Sequence, residues 1–161
     1  MIRERRDEDL DRLGQILQAL GHPSSGWSAA ALRGWLTEHR AEQSWVFDQA
    51  PVTVAPTKNV VGHLEIYRPD PAVCSLLGER QRPGEELLAV GKLFVRPQAH
   101  EYGIARYLLK EAVRHIRSQD KLPVAILEEN AVPLAFFEKF GFEQMPSAGA
   151  DATLLVHTAP A

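Results

Sequence analysis

The chain has 161 residues, 45% of them hydrophobic and 24% charged, with a formal net charge of −3. That length suits one domain over 1–161 with a substantial core, and the ordinary composition excludes disordered and fibrous classes. The small negative charge argues against broad binding to nucleic acid. Cys74 is the single cysteine, which leaves no intrachain disulfide and no cysteine metal site and fits a reducing, cytoplasmic setting. The opening MIRERRDEDLDRL lacks the apolar stretch of a signal peptide. No apolar run approaches membrane-spanning length, so no membrane partner is expected.

In chain order, residues 1–6 read as a short edge strand. Asp7 is placed to cap a helix striped by Leu10, Leu13, Leu17 and Leu20 and stopped by Gly21 and Pro23. Ser28 caps a second helix to about His39, with Leu32, Trp35 and Leu36 inward. Residues 44–50 and 60–68 read as strands joined by a hairpin connection over 51–59. Alternation in the second strand sets Leu64 and Ile66 on one side and His63, Glu65 and Tyr67 on the other. A polar side of that kind ordinarily faces solvent. Residues 69–86 read as a long loop that either closes over a substrate or only connects.

Residues 87–95, LLAVGKLFV, form an apolar run interrupted only by Gly91 and Lys92, the pattern of a buried strand. Pro97 ends it, a polar turn follows, and Gly103-Ile104-Ala105 opens a helix. Ile104, Ala105, Leu108, Leu109, Ala112, Val113 and Ile116 stripe one side of that helix. Arg106, Lys110, Arg114 and Arg117 mark the other, either a solvated face or one that steers an anion. A helix N-terminus flanked by small residues is suited to phosphate, because its free N–H groups and dipole attract anions. After Pro123 comes a short strand over 124–127, then Glu128-Glu129-Asn130. Asn130 is placed to cap the last helix, Pro133 falls in its first turn, and Gly141 ends it. Residues 142–145 and 153–157 read as closing strands. The order β-α-α-β-β-β-α-β-α-β-β is an α/β fold: one mixed sheet of about six to seven strands with helices on both faces.

The run Val95-x-Pro97-x-x-His100-Glu101-x-Gly103-Ile104-Ala105 resembles the acetyl-CoA pyrophosphate loop of the GNAT N-acetyltransferase superfamily, V-x-P-x-x-(Q/R)-G-x-G-(I/L)-(G/A). Asn130 with Phe136-Phe137-Glu138-Lys139-Phe140-Gly141-Phe142 resembles the second signature of that family, N…-Y-E-K-x-G-F. The resemblance implies a mostly antiparallel sheet and acetyl-CoA as co-substrate, with no metal. It implies that backbone groups of Leu93, Phe94 and Val95 pair with the pantetheine arm. Amides of His100, Glu101, Tyr102, Gly103, Ile104 and Ala105 would hold the pyrophosphate, and Asn130 would reach the arm, cap its helix, or do both. The chain departs from the pattern where His100 replaces Gln or Arg and where Glu101 replaces glycine. Phe137 stands where the family most often has the tyrosine that protonates the departing thiolate.

A base must take the proton of an acceptor ammonium. His63 and Glu65, sharing a strand face, and Glu128, at the strand end nearest the thioester, are the candidates. His22, His39, His115 and His157 are scattered and show no metal-ligand spacing. The resulting expectation is an N-acetyltransferase that moves an acetyl group directly to a primary amine, a small molecule or a peptide N-terminus, in a ternary complex. The alternative is a catalytically impaired CoA-binding sensor or scaffold of the same fold. The chain is expected as a monomer or homodimer.

Overall fold

The computed structural model describes residues 1–49, 59–75, 86–97, 102–145 and 152–158. Seven strands form one sheet: β1 (Ile2–Glu4), β2 (Gln43–Asp48), β3 (Val60–Tyr67), β4 (Leu87–Val95), β5 (Leu122–Ile126), β6 (Phe142–Gln144) and β7 (Leu154–His157), in the order β1-β2-β3-β4-β5-β7-β6. Only β4 and β5 are parallel; the other neighbours are antiparallel. The parallel pair is joined through α4 (Tyr102–Arg117), as a parallel connection requires a crossover.

α4 buries Ala105, Leu108, Leu109, Ala112 and Ile116 against Leu64, Ile66, Leu88, Val90 and Leu93, with Phe137 of α5 (Leu134–Lys139) in the same core. The opposite face carries α1 (Leu10–Leu20) and α2 (Ala29–Leu36), whose leucines pack with Trp35 on Val46, Val60 and Phe94. Gly21 ends α1 in the left-handed region at φ 68°, and the Ser28 hydroxyl caps α2 by accepting from the Ala31 amide at 3.1 Å.

Four local expectations change. Asp9, not Asp7, holds the first turn: its carboxylate accepts from the Arg6 amide at 2.8 Å and pairs with both terminal nitrogens of Arg3 at 2.8 Å. α2 stops at Leu36, so Glu38 and His39 lie beyond its end. The connection after β3 contains a short helix, α3 (Pro71–Ser75), while 76–85 lies outside the described residues. Asn130 does not cap the last helix, because Pro133 takes the N-cap position of α5. Asn130 instead ends a 3-10 turn, Leu127–Glu129, in extended conformation.

Two neighbouring strands of the sheet part before they end. β4 and β5 are paired from Leu87↔Leu122 to Val90↔Ala125 and no further. Beside that point the β3–β4 register passes from His63↔Phe94 to Glu65↔Gly91, which leaves one extra residue in β4. Lys92 absorbs it at φ 52°, a left-handed conformation that costs a non-glycine residue about 1–2 kcal/mol. The bulge reverses the alternation of β4: Leu88 and Val90 face α4 before it, Leu93 and Val95 after it.

Candidate active site

A polar cluster occupies this fork on the α1–α2 side. The expectation that His63, Glu65 and Tyr67 face solvent is overturned, because the whole of β3 is buried and α1 and α2 cover that side. With water excluded, each polar group there needs a protein partner.

Glu65 is fully buried, and its Oε1 accepts from His39 Nδ1 at 2.7 Å. Its Oε2 has no hydrogen-bond partner among the described residues. Burial raises the Glu65 carboxyl above its ordinary range, opposed by the His39 hydrogen bond and by the positive charge of Lys92. An ionised carboxylate only accepts, so Nδ1 of His39 is the donor in that bond, and in the neutral ring this leaves Nε2 as an acceptor. Nε2 lies 3.7 Å from Glu38 Oε1 and 3.7 Å from Glu129 Oε1. The His39 side chain remains 24% exposed, so this is the wet edge of the cluster.

Tyr67 supports that edge. Its ring stacks on His39 with centroids 4.0 Å apart, and its hydroxyl donates to Glu129 Oε2. Burial and the neighbouring Glu129 charge raise the phenol well above its usual range. The ring crosses β4 at Gly91, where an added Cβ would meet Tyr67 Cε1 at 2.7 Å and Glu129 Oε2 at 3.1 Å. Glycine is required there by close approach.

His63 has a different environment. Nδ1 donates to the Lys92 carbonyl at 2.8 Å, Nε2 accepts from Arg5 Nη1 at 3.1 Å, and the ring stacks on Phe94. Desolvation, with the Arg5 charge next, lowers its pKa to about 3. Both nitrogens are engaged, and the neutral ring braces the bulge. Glu128 is exposed and turns away from the fork to accept from the Thr153 amide at 2.5 Å. Of the three candidate bases, His63 and Glu65 are buried in the cluster, and only Glu65 bonds the partly exposed His39.

At the fork the Leu93 amide donates to Asn130 Oδ1 at 2.9 Å, and the Leu93 carbonyl accepts from the Ala131 amide at 2.8 Å. Asn130 Nδ2 donates to the Ile126 carbonyl at 2.9 Å, so one side chain ties β4 to the end of β5. Phe94 and Val95 continue the strand against His63 and Gly62. His100 and Glu101 lie outside the described residues, as does the side chain of Tyr102. Gly103 is exposed with open space around a built Cβ, Ile104 is half-buried, and Ala105 is buried. Phe137 is fully buried among Phe136 and Phe142, with ring centroids 6.0 and 5.3 Å away. It is Phe136 that lines, with Arg106, Pro133, Ala135 and Lys139, a cleft of about 300 Å³ between α4 and α5. Among the described residues no group of three metal-ligating side chains occurs, and no helix is long and apolar enough to cross a membrane.

The model of the acetyltransferase (GNAT) family matches residues 16–142, from within α1 to the first residue of β6, and so takes in the fork and the cluster. The chain belongs to the GNAT family. Solved structures with this fold include Arabidopsis thaliana NAA60 in complex with a bisubstrate analogue, at 17% identity and TM-score 0.67 over 97% of this chain and 95% of that one. A GNAT family acetyltransferase from Brucella melitensis in complex with acetyl-CoA aligns at 19% identity and TM-score 0.58, over 99% of this chain and 88% of that chain. Aminoglycoside 6′-acetyltransferase type Ii aligns at 16% identity and TM-score 0.63, over 100% of this chain and 99% of that chain. No curated protein matches the sequence.

Within this GNAT fold the sequence reading missed His39, Glu129, Tyr67 and Lys92 as members of one cluster. Tyr67 was within reach, since it alternates with His63 and Glu65. Lys92 carried a signal too, as a charge inside an otherwise apolar strand. His39 and Glu129 gave none, because their positions depend on where α2 ends and how the turn after β5 rotates.

Proposed function

We propose that the chain is an acetyl-CoA-dependent N-acetyltransferase acting on a primary amine, with His39 as base and Glu65 as the carboxylate that orients it. The observation that carries this reading is the pairing of buried Glu65 with partly exposed His39 at the fork, with His39 Nε2 facing Glu38 and Glu129. Two carboxylate oxygens within 3.7 Å of Nε2 make this edge suited to an ammonium donor, and the arrangement follows the logic of a base held by a buried carboxylate. The solved relatives with acetyl-CoA or a bisubstrate analogue support acetyl-CoA as co-substrate. A complex bound to a Gag peptide and an aminoglycoside acetyltransferase, both of this fold, leave peptide N-termini and small-molecule amines as the acceptor classes.

The chain's own groups fit an anionic co-substrate. The N-terminus of the sixteen-residue α4 faces the end of β4 with an open Gly103, and Arg106 and Lys139 supply cations around the α4–α5 cleft. In the reaction His39 Nε2 takes the ammonium proton, and the freed amine attacks the thioester carbonyl. The C–N bond forms, the C–S bond breaks, and its electron pair leaves on sulfur. The second proton of the attacking nitrogen ends on that thiolate, directly or through His39. Phe137 offers no proton, and an alkyl thiolate with a pKa near about 8.5 leaves without one being obligatory. No nucleophile is required of the protein, so transfer is direct.

The test is thiol release from acetyl-CoA across a panel of peptide N-termini, polyamines, amino acids and aminoglycosides, with wild type and His39→Gln. Turnover of one class, lowered about 10²–10⁴-fold in His39→Gln with acetyl-CoA KM little changed, supports the assignment. CoA binding without turnover of any amine would instead establish a CoA-binding protein.

A further inference from the structure

Lys92 is among the largest fully buried side chains of the described residues, an amine in a largely apolar strand. Its Nζ donates to the Trp35 carbonyl at the end of α2 and to Glu38 Oε1 at 2.8 Å, and lies 4.3 Å from the centroid of the Trp35 ring. Its own carbonyl is held by His63. One residue therefore connects the β4 bulge to the segment that carries Glu38 and His39.

That connection is costly as a stabilising device. It puts a lysine in a left-handed conformation and out of water, where an apolar side chain in a regular strand would serve packing better. The segment after α2 has no helical hydrogen bonds beyond Glu38, whose amide reaches the Trp35 carbonyl at 3.4 Å. Lys92 binds that same carbonyl and the next acidic side chain, so it fixes where His39 meets Glu65.

Resting on the acetyltransferase reading, we infer that Lys92 is a positioning residue for the acid–base pair: from the bulge it holds the end of α2 so that His39 is seated on Glu65, and it presents a positive charge to that carboxyl. The other charged or titratable groups around Glu65 are His63 and Tyr67 on β3, Arg5 before α1, Glu38 and His39 after α2, and Glu129 after β5. Loss of the Lys92 charge leaves the carboxyl with the Arg5 charge and the His39 hydrogen bond alone and makes it harder to ionise.

The experiment compares wild type with Lys92→Gln, which keeps a donor for the Trp35 carbonyl but no charge, and Lys92→Arg, which restores the charge. Three quantities are measured: kcat and acetyl-CoA KM on an amine from the panel, and the Glu65 carboxyl titration by ¹³C NMR, assigned with Glu65→Gln. Lys92→Gln is expected to lower kcat at least about tenfold with KM within about twofold, and to raise the Glu65 midpoint by about one unit. Lys92→Arg is expected to restore the midpoint and most of kcat. A Lys92→Gln protein with wild-type kcat and midpoint overturns the inference. A lower melting temperature with neither quantity moved does the same, since that is a merely structural role. If no amine turns over in wild type, the acetyltransferase reading fails while the carboxyl titration still decides whether Lys92 acts on Glu65. If Lys92→Gln does not fold, Lys92→Met is put through the same titration: a raised Glu65 midpoint supports the inference, and an unmoved one overturns it.

Discussion

His63 gives the sharpest quantitative consequence of the buried cluster. Its pKa is about 3 in the folded chain against 6.5 for a free imidazole. A lowered histidine binds its proton more tightly in the unfolded state, so its contribution is complete above about pH 6.5. It is lost progressively as pH falls toward about 3. Between pH 8 and pH 5 the loss amounts to about 1.5 units, or about 2 kcal/mol at 1.36 kcal/mol per unit. His63→Gln keeps a donor for the Lys92 carbonyl and an acceptor for Arg5, and it does not titrate. It loses the stacking on Phe94, so it is expected to be less stable than wild type at pH 8. That gap should shrink by about 2 kcal/mol at pH 5. Urea unfolding of both proteins at the two pH values measures it, and His22 and His157, also lowered by burial, cancel in the comparison. A stability gap that is the same at pH 8 and pH 5 would refute the assignment of a permanently neutral His63 and reopen it as a base.

Gly91→Ala is expected to push the Tyr67 ring off β4 and break its bond to Glu129, given the 2.7 Å approach of a Cβ to Tyr67 Cε1. The cost is about 1–3 kcal/mol in urea unfolding, accompanied by a fall in kcat; unchanged stability would mean the strand yields and the contact is slack. Phe137→Tyr places a hydroxyl in a fully buried aromatic cluster. It is expected to destabilise by about 1–3 kcal/mol without raising kcat, and a tenfold gain in kcat would show that the position reaches the thiolate after all.

The elements were legible because their signals are local and redundant. The α4 stripe, the Ser28 cap, the Gly21 stop and the two closing strands each follow from spacing within one segment. The strand order was not, since β7 inserts between β5 and β6 through contacts far apart in sequence. The bulge was hidden because LLAVGKLFV is apolar on both sides, and reversed alternation leaves no mark where both faces are buried. The polar side of β3 misled for the opposite reason. Alternation reports two different faces, but it does not say that the polar one meets water. Glu128 and Glu129 differ only in the rotation of one 3-10 turn, a quantity that composition and period leave open.

The cluster's position argues for chemistry rather than stability. Buried charges are weak stabilisers, because desolvation offsets most of their attraction, and apart from Asp9 and Asp48 on Arg3 and from His157, packed apolar residues fill most of both sheet faces. Here Glu65, His63 and Lys92 are all fully buried, and the Oε2 of Glu65 is left unpartnered among the described residues. With Glu38 and His39 beyond the end of α2 and Glu129 in the turn after β5, they gather where β4 and β5 part. Each element contributes through a local irregularity: a left-handed lysine, a glycine crossing, a helix that stops early, a 3-10 turn. Irregularities that cost stability and converge on one opening are what a site under functional constraint looks like. The asymmetry between the two histidines on this face follows from the same geometry. His63, with both nitrogens bonded and no exposure, holds the backbone, whereas His39, with Nδ1 bonded to Glu65 and an edge in water, turns Nε2 toward the carboxylates of Glu38 and Glu129.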